Sequence, residues 1–191
     1  HIHSQLSSCS RHPQQTNTTI LDYAKEIGLR HICLTDHFWD ERILCNTLVN
    51  WWYEKQNFYH IAQSRPLPKD ANIDFLFGCE ADMDSDDRIG ISKERCDEFG
   101  FIIVSTTHFH HMGGDNWGDR SNMVLARRWV ERFDALLDAD LPFHKVGAAH
   151  LACELINNRS REDLLNTLDL IPQTDLERLF SKAAKIGIGI E

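Results

Sequence analysis

Histidines and one glutamate at the ends of short apolar segments are the side chains best suited to chemistry in this sequence. His1 and His3 stand two residues apart, so on an extended strand both imidazoles point to the same face and can reach one metal ion. Further candidates follow apolar segments along the chain, namely His37, Glu80, His108 and His150. Imidazole nitrogens combined with a carboxylate suit Zn, Mn or Fe. A glutamate that bridges two such ions favours hydrolysis, because paired ions provide a nucleophilic hydroxide at neutral pH.

The elements that must position these residues alternate between strands and helices. Apolar segments predict strands at 31–35, 73–80, 99–108, 144–150 and 186–191. Helical spacing predicts helices at 20–30, 122–140, 160–168 and 174–185, the last two with the capping pairs Ser160–Asp163 and Thr174–Glu177. This alternation is typical of an α/β fold with a parallel sheet or barrel, in which the carboxyl ends of the strands converge on one face. We therefore expect the candidate residues to form one shared site.

Length and charge limit the class of protein. A chain of 191 residues with 42% hydrophobic content fits one domain better than two. The 20 Lys and Arg residues against 29 Asp and Glu residues give a formal charge of -9, which disfavours a surface built to bind nucleic acid. A small anionic substrate remains compatible with this charge if metal cations neutralise it locally.

Cysteine usage and hydropathy predict a soluble cytoplasmic protein. The six cysteines form no C-x-x-C pair, so neither a zinc ribbon nor a thioredoxin motif is expected, and reduced thiols are the simpler interpretation. No stretch approaches the roughly 18 consecutive apolar residues of a membrane span, and no leader sequence is recognised. The oligomeric state is left open by the sequence.

Five motifs in order resemble a known family. They are HIHS (1–4), LTDHF (34–38), FGCEADM (77–83), VSTTHFH (104–110) and GAAHLA (147–152). Together they resemble the PHP (polymerase and histidinol phosphatase) superfamily of metal-dependent phosphoesterases. The resemblance implies a distorted (β/α)7 barrel, with two to three divalent ions, Zn, Mn or Fe. It also implies hydrolysis of a phosphate ester by a metal-bridging hydroxide, with a small phosphomonoester such as histidinol phosphate as the expected substrate.

The resemblance also implies a role for each candidate residue. His1 and His3 would bind a first ion, Glu80 would bridge it to a second ion bound by His108 and His150, and His37 would belong to a third. Asp36 would orient His37 or a neighbour, and His110 and His111 are candidates for loop residues near the phosphate.

Two departures from the family pattern affect the third ion and the end of the chain. Cys9 stands where phosphatase members often have a third-metal histidine, so Cys9, His12 or a water is the candidate ligand. The closing D-x-H motif of the family is absent. We therefore expect residues 1–191 to form a single PHP-like domain that lacks its C-terminal strand or strands and is an internal piece of a longer protein.

Alternative interpretations concern both the reaction and the acidic stretch DMDSDD. An amidohydrolase-type barrel that hydrolyses C–N bonds also opens with H-x-H, but TDH and GCE favour the PHP pattern. A non-catalytic PHP-like module would be expected to lack ligands. The stretch DMDSDD (82–87) lacks the glycine and the final acid of a calcium loop, where Lys93 stands instead, so it is predicted to be a solvated acidic turn.

Overall fold

Short parallel strands separated by helices and irregular segments make up the protein. The computed structural model describes residues 1–10, 12–47, 50–109, 120–153 and 160–191. The strands are β1 (His31–Leu34), β2 (His37–Phe38), β3 (Asp74–Phe77), β4 (Cys79–Asp82), β5 (Ile102–Ser105), β6 (Val146–Ala149) and β7 (Gly189–Ile190). The helices are α1 (Asn17–Glu26), α2 (Asn50–Lys55), α3 (Phe58–Ile61), α4 (Asn122–Leu137), α5 (Arg161–Asp169) and α6 (Gln173–Ile186).

The strands form two parallel sheets that continue one another. Strand β1 pairs with β3, and the larger sheet has the order β2-β4-β5-β6-β7. In the first sheet His31 is opposite Asp74, and in the second His37 is opposite Glu80, with the same sequence offset. The carboxyl ends of β2, β4, β5 and β6 therefore lie side by side. A mixed α/β fold with parallel strands is confirmed.

Gly78 divides what the sequence predicts as one strand at 73–80. The Gly78 N–H donates to the Leu34 carbonyl at 2.8 Å, and beyond it the chain joins the larger sheet as β4. A Cβ at this position would lie 2.3 Å from the Phe101 carbonyl oxygen and 2.5 Å from Cys33 Sγ. The prediction of a single strand was wrong because the close approach of three chain segments at a glycine changes the pairing partner here.

Local capping residues explain where α1 and α5 begin. Thr16 caps α1 by accepting a hydrogen bond from the Thr19 N–H at 3.2 Å, and the predicted box of Ser160 and Asp163 caps α5. The predicted capping box of Thr174 and Glu177 was wrong. Helix α6 begins one residue earlier, at Gln173, because the Pro172 carbonyl accepts the first helical hydrogen bond from the Leu176 N–H at 3.1 Å.

The core has two parts, one on each side of the break in the sheets. The larger part packs α4 and α6 against strands β4, β5 and β6. The smaller part packs α1 against β1 through Ile20, Leu21, Ala24, Ile32 and Leu34. The apolar faces of these three helices thus cover the sheets and leave the strand ends for polar residues.

Barrel closure is a prediction that the described residues leave open. The N-terminal segment joins β1 through a parallel bridge between Ile2 and Leu34, and the His1 ring lies 2.9 Å from the Glu191 carboxylate beyond β7. In the described ranges, however, the backbone ladders form two open sheets. Among the same residues, none of the helices combines the length and the apolar character that a membrane span requires.

Gly78→Ala is expected to lower the free energy of unfolding by about 1–3 kcal/mol, because the added Cβ overlaps the Phe101 carbonyl oxygen and the half-buried sulfur of Cys33. Urea unfolding followed by circular dichroism measures this loss. Gly100→Ala is the matched control, since its nearest contact would be an ordinary 3.4 Å. Equal unfolding midpoints for the two variants would contradict this account of the strand break.

Candidate metal centre

The N-terminal segment places His1 and His3 beside the end of β1. Ile2 bridges to Leu34, and the Ile2 N–H donates to Thr35 Oγ1 at 2.9 Å while the Thr35 N–H donates back to the Ile2 carbonyl at 2.8 Å. His1 and His3 flank Ile2, and their Nε2 atoms lie 3.0 Å apart. The H-x-H spacing thus brings two imidazole nitrogens together, as the sequence predicts.

Glu80 in β4 lies between two pairs of imidazoles, and its side chain is only 1% exposed. Oxygen Oε2 lies 3.3 Å from His1 Nε2 and 3.2 Å from His3 Nε2. Oxygen Oε1 lies 2.9 Å from His150 Nε2 and 3.9 Å from His108 Nε2. The two oxygens of one carboxylate therefore face different histidines.

Asp82, two residues after Glu80 on β4, contacts two further ring nitrogens. Its Oδ1 lies 2.6 Å from His108 Nδ1, and its Oδ2 lies 3.1 Å from His37 Nδ1. Asp82 is fully buried. A carboxylate at one nitrogen of a metal-binding histidine fixes the ring and leaves the other nitrogen for the ion. Sequence reasoning did not select Asp82 for this site.

The stretch DMDSDD is therefore not the solvated turn that the sequence predicts. Asp82 and Asp84 are both buried, and Asp84 Oδ1 accepts hydrogen bonds from the backbone N–H groups of Asp86 and Arg88, both at 2.9 Å. Only Asp86 of the four acids is exposed. The sequence feature that indicates a role for Asp82 is its spacing of two residues from Glu80, which puts both carboxylates on one face of a strand.

Helix α4 holds the loops that follow three of the strands. Arg132 is fully buried and donates to the carbonyls of Thr106 and Met83, at 2.6 and 3.1 Å. One turn earlier, Trp129 Nε1 donates to the Leu151 carbonyl at 2.8 Å. These acceptors belong to the loops after β5, β4 and β6, so one helix face fixes three strand ends.

His150 has a strained backbone conformation. Its φ of +34° lies in the left-handed region that residues other than glycine seldom adopt. Thr107 holds it there, because Thr107 Oγ1 donates to the His150 carbonyl at 3.4 Å and lies 3.3 Å from His150 Nδ1. Backbone strain of this kind is concentrated at functional sites.

Cys9 lies with His3 and His37, whereas His12 lies elsewhere. The candidate ligand atoms of Cys9, His3 and His37 are within 4.8 Å of one another. His12 is exposed, and its Nδ1 accepts a hydrogen bond from the Gln14 N–H at 3.3 Å. Of the two protein candidates for the third ion, Cys9 is the one that the fold brings to the other donors.

Asp36, which the resemblance implies to orient His37 or a neighbour, contacts Ser4 beside His3. It is buried and accepts hydrogen bonds from the Ser4 N–H at 2.6 Å and from Ser4 Oγ at 2.7 Å. Asp36 therefore fixes the turn after His3, while the carboxylates that contact His37 Nδ1 are those of Asp82 at 3.1 Å and Glu80 at 3.3 Å. The predicted residue His110 lies outside the described residues.

Charges in the site are set by burial and by mutual contacts. Burial would raise the pKa of Glu80 and of Asp82, but the adjacent histidines hold both pKa values well below their usual range. Burial would lower the pKa of His3, but interactions with Cys9 and Glu80 raise it to about 9. Burial would likewise lower the pKa of His150, but interactions with Cys153 and Glu80 raise it to about 10. Burial would raise the pKa of Cys9, yet the imidazoles lower it to about 5. An ion that binds these groups must therefore displace protons from the histidines.

The donors fit divalent transition-metal ions in both type and spacing. Zinc binds imidazole nitrogen and carboxylate oxygen at about 2.0–2.2 Å, so two donors on one ion lie at most about 4.4 Å apart. The donor atoms of His1, His3 and Glu80 are separated by 3.0–3.3 Å. Those of Glu80 with His150 and with His108 are separated by 2.9 and 3.9 Å. The donors on both sides of the Glu80 carboxylate are therefore close enough together to share one ion on each side.

A comparison with protein-family models gives a match to the PHP domain over residues 1–187. The chain belongs to the PHP family. PHP domains bind divalent metal ions and generally act as metal-dependent hydrolases, so the family agrees with the donor groups around Glu80. No curated protein matches the sequence in a comparison with individual proteins.

Asp82→Asn is expected to weaken binding of Zn²⁺ or Mn²⁺ to this PHP domain by about 10- to 100-fold, because the isosteric amide no longer presents a carboxylate to the two histidine rings. Competition with a chromophoric chelator measures the affinity. Asp86→Asn is the matched control, since Asp86 lies in the same acidic stretch but is exposed. An unchanged affinity in Asp82→Asn would show that Asp82 does not act through these histidines.

Proposed function

We propose that this PHP domain hydrolyses a small phosphate monoester with two to three bound divalent ions, Zn, Mn or Fe. The observation that supports this most strongly is the buried Glu80 carboxylate, whose two oxygens face separate groups of imidazole nitrogens. A carboxylate in this position is suited to bridge two ions, which is the arrangement used in metal-assisted phosphoester hydrolysis. Histidinol phosphate is one candidate substrate.

The proposed roles divide the side chains into ligands and positioning residues. Glu80 would bridge two ion positions, and the ligands around it would be His1, His3, His108 and His150, with Cys9 and His37 at a third position. Asp82 keeps the rings of His37 and His108 in place, and Asp36 keeps the N-terminal turn in place. His110 is proposed to lie near the phosphate. Bound ions would supply positive charge to the phosphoryl oxygens and lower the pKa of a water.

Charge supports a small substrate over a nucleic acid. The chain carries a formal charge of -9, so its surface as a whole repels a polyanion and offers little counterion release. A single phosphate group needs only local positive charge, which ions at the imidazole groups would provide. The proposed partner is therefore a small phosphorylated molecule.

Glu80→Gln is expected to lower kcat/KM for a phosphate monoester by about three orders of magnitude or more, because the amide cannot bridge two ions as a carboxylate does. Release of p-nitrophenol from p-nitrophenyl phosphate, after loading with Zn²⁺, Mn²⁺ or Fe²⁺, measures general activity, and phosphate release from histidinol phosphate tests that substrate.

Glu177→Gln is the control, because Glu177 is an exposed acid on α6 and should leave turnover unchanged. Circular dichroism checks that both variants are folded. A metal-loaded protein that hydrolyses no phosphate monoester, or a Glu80→Gln variant as active as the unmodified protein, would contradict the proposal.

A further inference from the structure

We propose that Cys9 makes one metal position selective for a thiophilic ion such as Zn²⁺, while the positions built from nitrogen and oxygen alone discriminate less against Mn²⁺. This inference rests on the proposed function for the presence of bound ions. It goes beyond that function by assigning a particular ion preference to a particular position.

The loop that carries Cys9 is built around a buried hydroxyl. Ser7 is fully buried, and its Oγ lies 2.9 Å from His3 Nδ1 and 3.6 Å from Cys9 Sγ. The same oxygen accepts a hydrogen bond from the His37 N–H at 3.3 Å. One side chain therefore contacts all three residues of the group and fixes them relative to one another.

The segment 56–60 holds the same loop from its other side. His60 Nε2 lies 2.7 Å from the Leu6 carbonyl, and the Ser8 N–H donates to Gln56 Oε1 at 3.3 Å. These contacts flank Ser7 and precede Cys9 directly. The thiol is thus presented by an anchored turn rather than by a loop free to turn away.

Sulfur occurs in one of the donor groups that the described residues form. The groups are His3–Cys9–His37, His1–His3–Glu80, His37–Asp82–His108 and Glu80–His108–His150. Within each group the ligand atoms lie within 4.8 Å of one another. The group with Cys9 combines sulfur with imidazole nitrogen, and His37 is the imidazole in it that is not already assigned to the ion beside Glu80. The other groups have nitrogen and oxygen donors only.

This difference in donor type carries the ion preference. Thiolate is a soft ligand that suits Zn²⁺, while Mn²⁺ prefers carboxylate, carbonyl and water oxygens. Zn²⁺ also binds nitrogen and oxygen sites more tightly than Mn²⁺ does. The proposal therefore concerns the ratio of the two affinities, which should be largest at the position that contains Cys9.

Cobalt substitution tests whether Cys9 binds an ion. Co²⁺ added to the full chain should produce a sulfur-to-cobalt charge-transfer absorption in the near ultraviolet, and Cys9→Ser should abolish it. Cys9→Ser should also weaken Zn²⁺ binding at one position by at least about 100-fold. Removal of a residue that only hydrogen-bonds to a metal ligand already lowers metal affinity by about 10- to 100-fold, and Cys9 is proposed to be a ligand itself. Cys33→Ser is the matched control, because Cys33 belongs to none of the donor groups among the described residues.

Replacing Cys9 with a nitrogen donor tests whether the preference for Zn²⁺ over Mn²⁺, and not only ion binding, depends on sulfur. Cys9→His should restore ion binding without the charge-transfer band and with a lower ratio of Zn²⁺ to Mn²⁺ affinity. X-ray absorption of the unmodified protein loaded with Zn²⁺ should show a sulfur neighbour at about 2.3 Å, so the test does not depend on a variant that folds.

Zinc neighbours at about 2.0–2.2 Å only, or a charge-transfer band that persists in Cys9→Ser, would overturn the proposal. These readouts are independent of hydrolysis. A protein that shows the band but cleaves no phosphate monoester would contradict the proposed function and leave the role of Cys9 intact.

Discussion

The buried carboxylate of Glu80 is the interaction on which the rest of the site depends. An ionised group removed from water costs several kcal/mol unless opposite charges and hydrogen bonds compensate. Glu80 is 1% exposed, and the imidazoles of His1, His3 and His150 supply that compensation at 2.9–3.3 Å. The same concentration of donors around one carboxylate is what would hold divalent ions.

Parallel register and one helix bring the donors to this carboxylate. The ladder between β2 and β4 places His37 opposite Glu80, and Asp82 follows on the same face of β4. Arg132, buried in α4, ties the loops after β4 and β5 together through backbone carbonyls. The geometry of the site therefore depends on the packing of α4 against the sheet as well as on the candidate ligands themselves.

Sequence patterns predict residue types at strand ends better than they predict partners. The parallel α/β fold and the meeting of His1, His3 and Glu80 follow from apolar segments that end in polar residues. Asp82 was missed because four acids within six residues suggest a solvated turn, although its spacing from Glu80 indicates a shared face. The change of strand partner at Gly78 depends on how closely other segments approach, which no local pattern contains. Likewise, only the packed structure shows which carbonyls Arg132 contacts.

The two oxygens of Glu80 are proposed to face two ion positions. Anomalous X-ray scattering from crystals of the protein grown with Zn²⁺, measured on both sides of the zinc absorption edge, tests this arrangement. We expect at least two anomalous peaks, one near Oε2 with the His1 and His3 rings and one near Oε1 with the His150 ring. Zinc peaks confined to surface residues, with none at Glu80 in a folded protein, would contradict it.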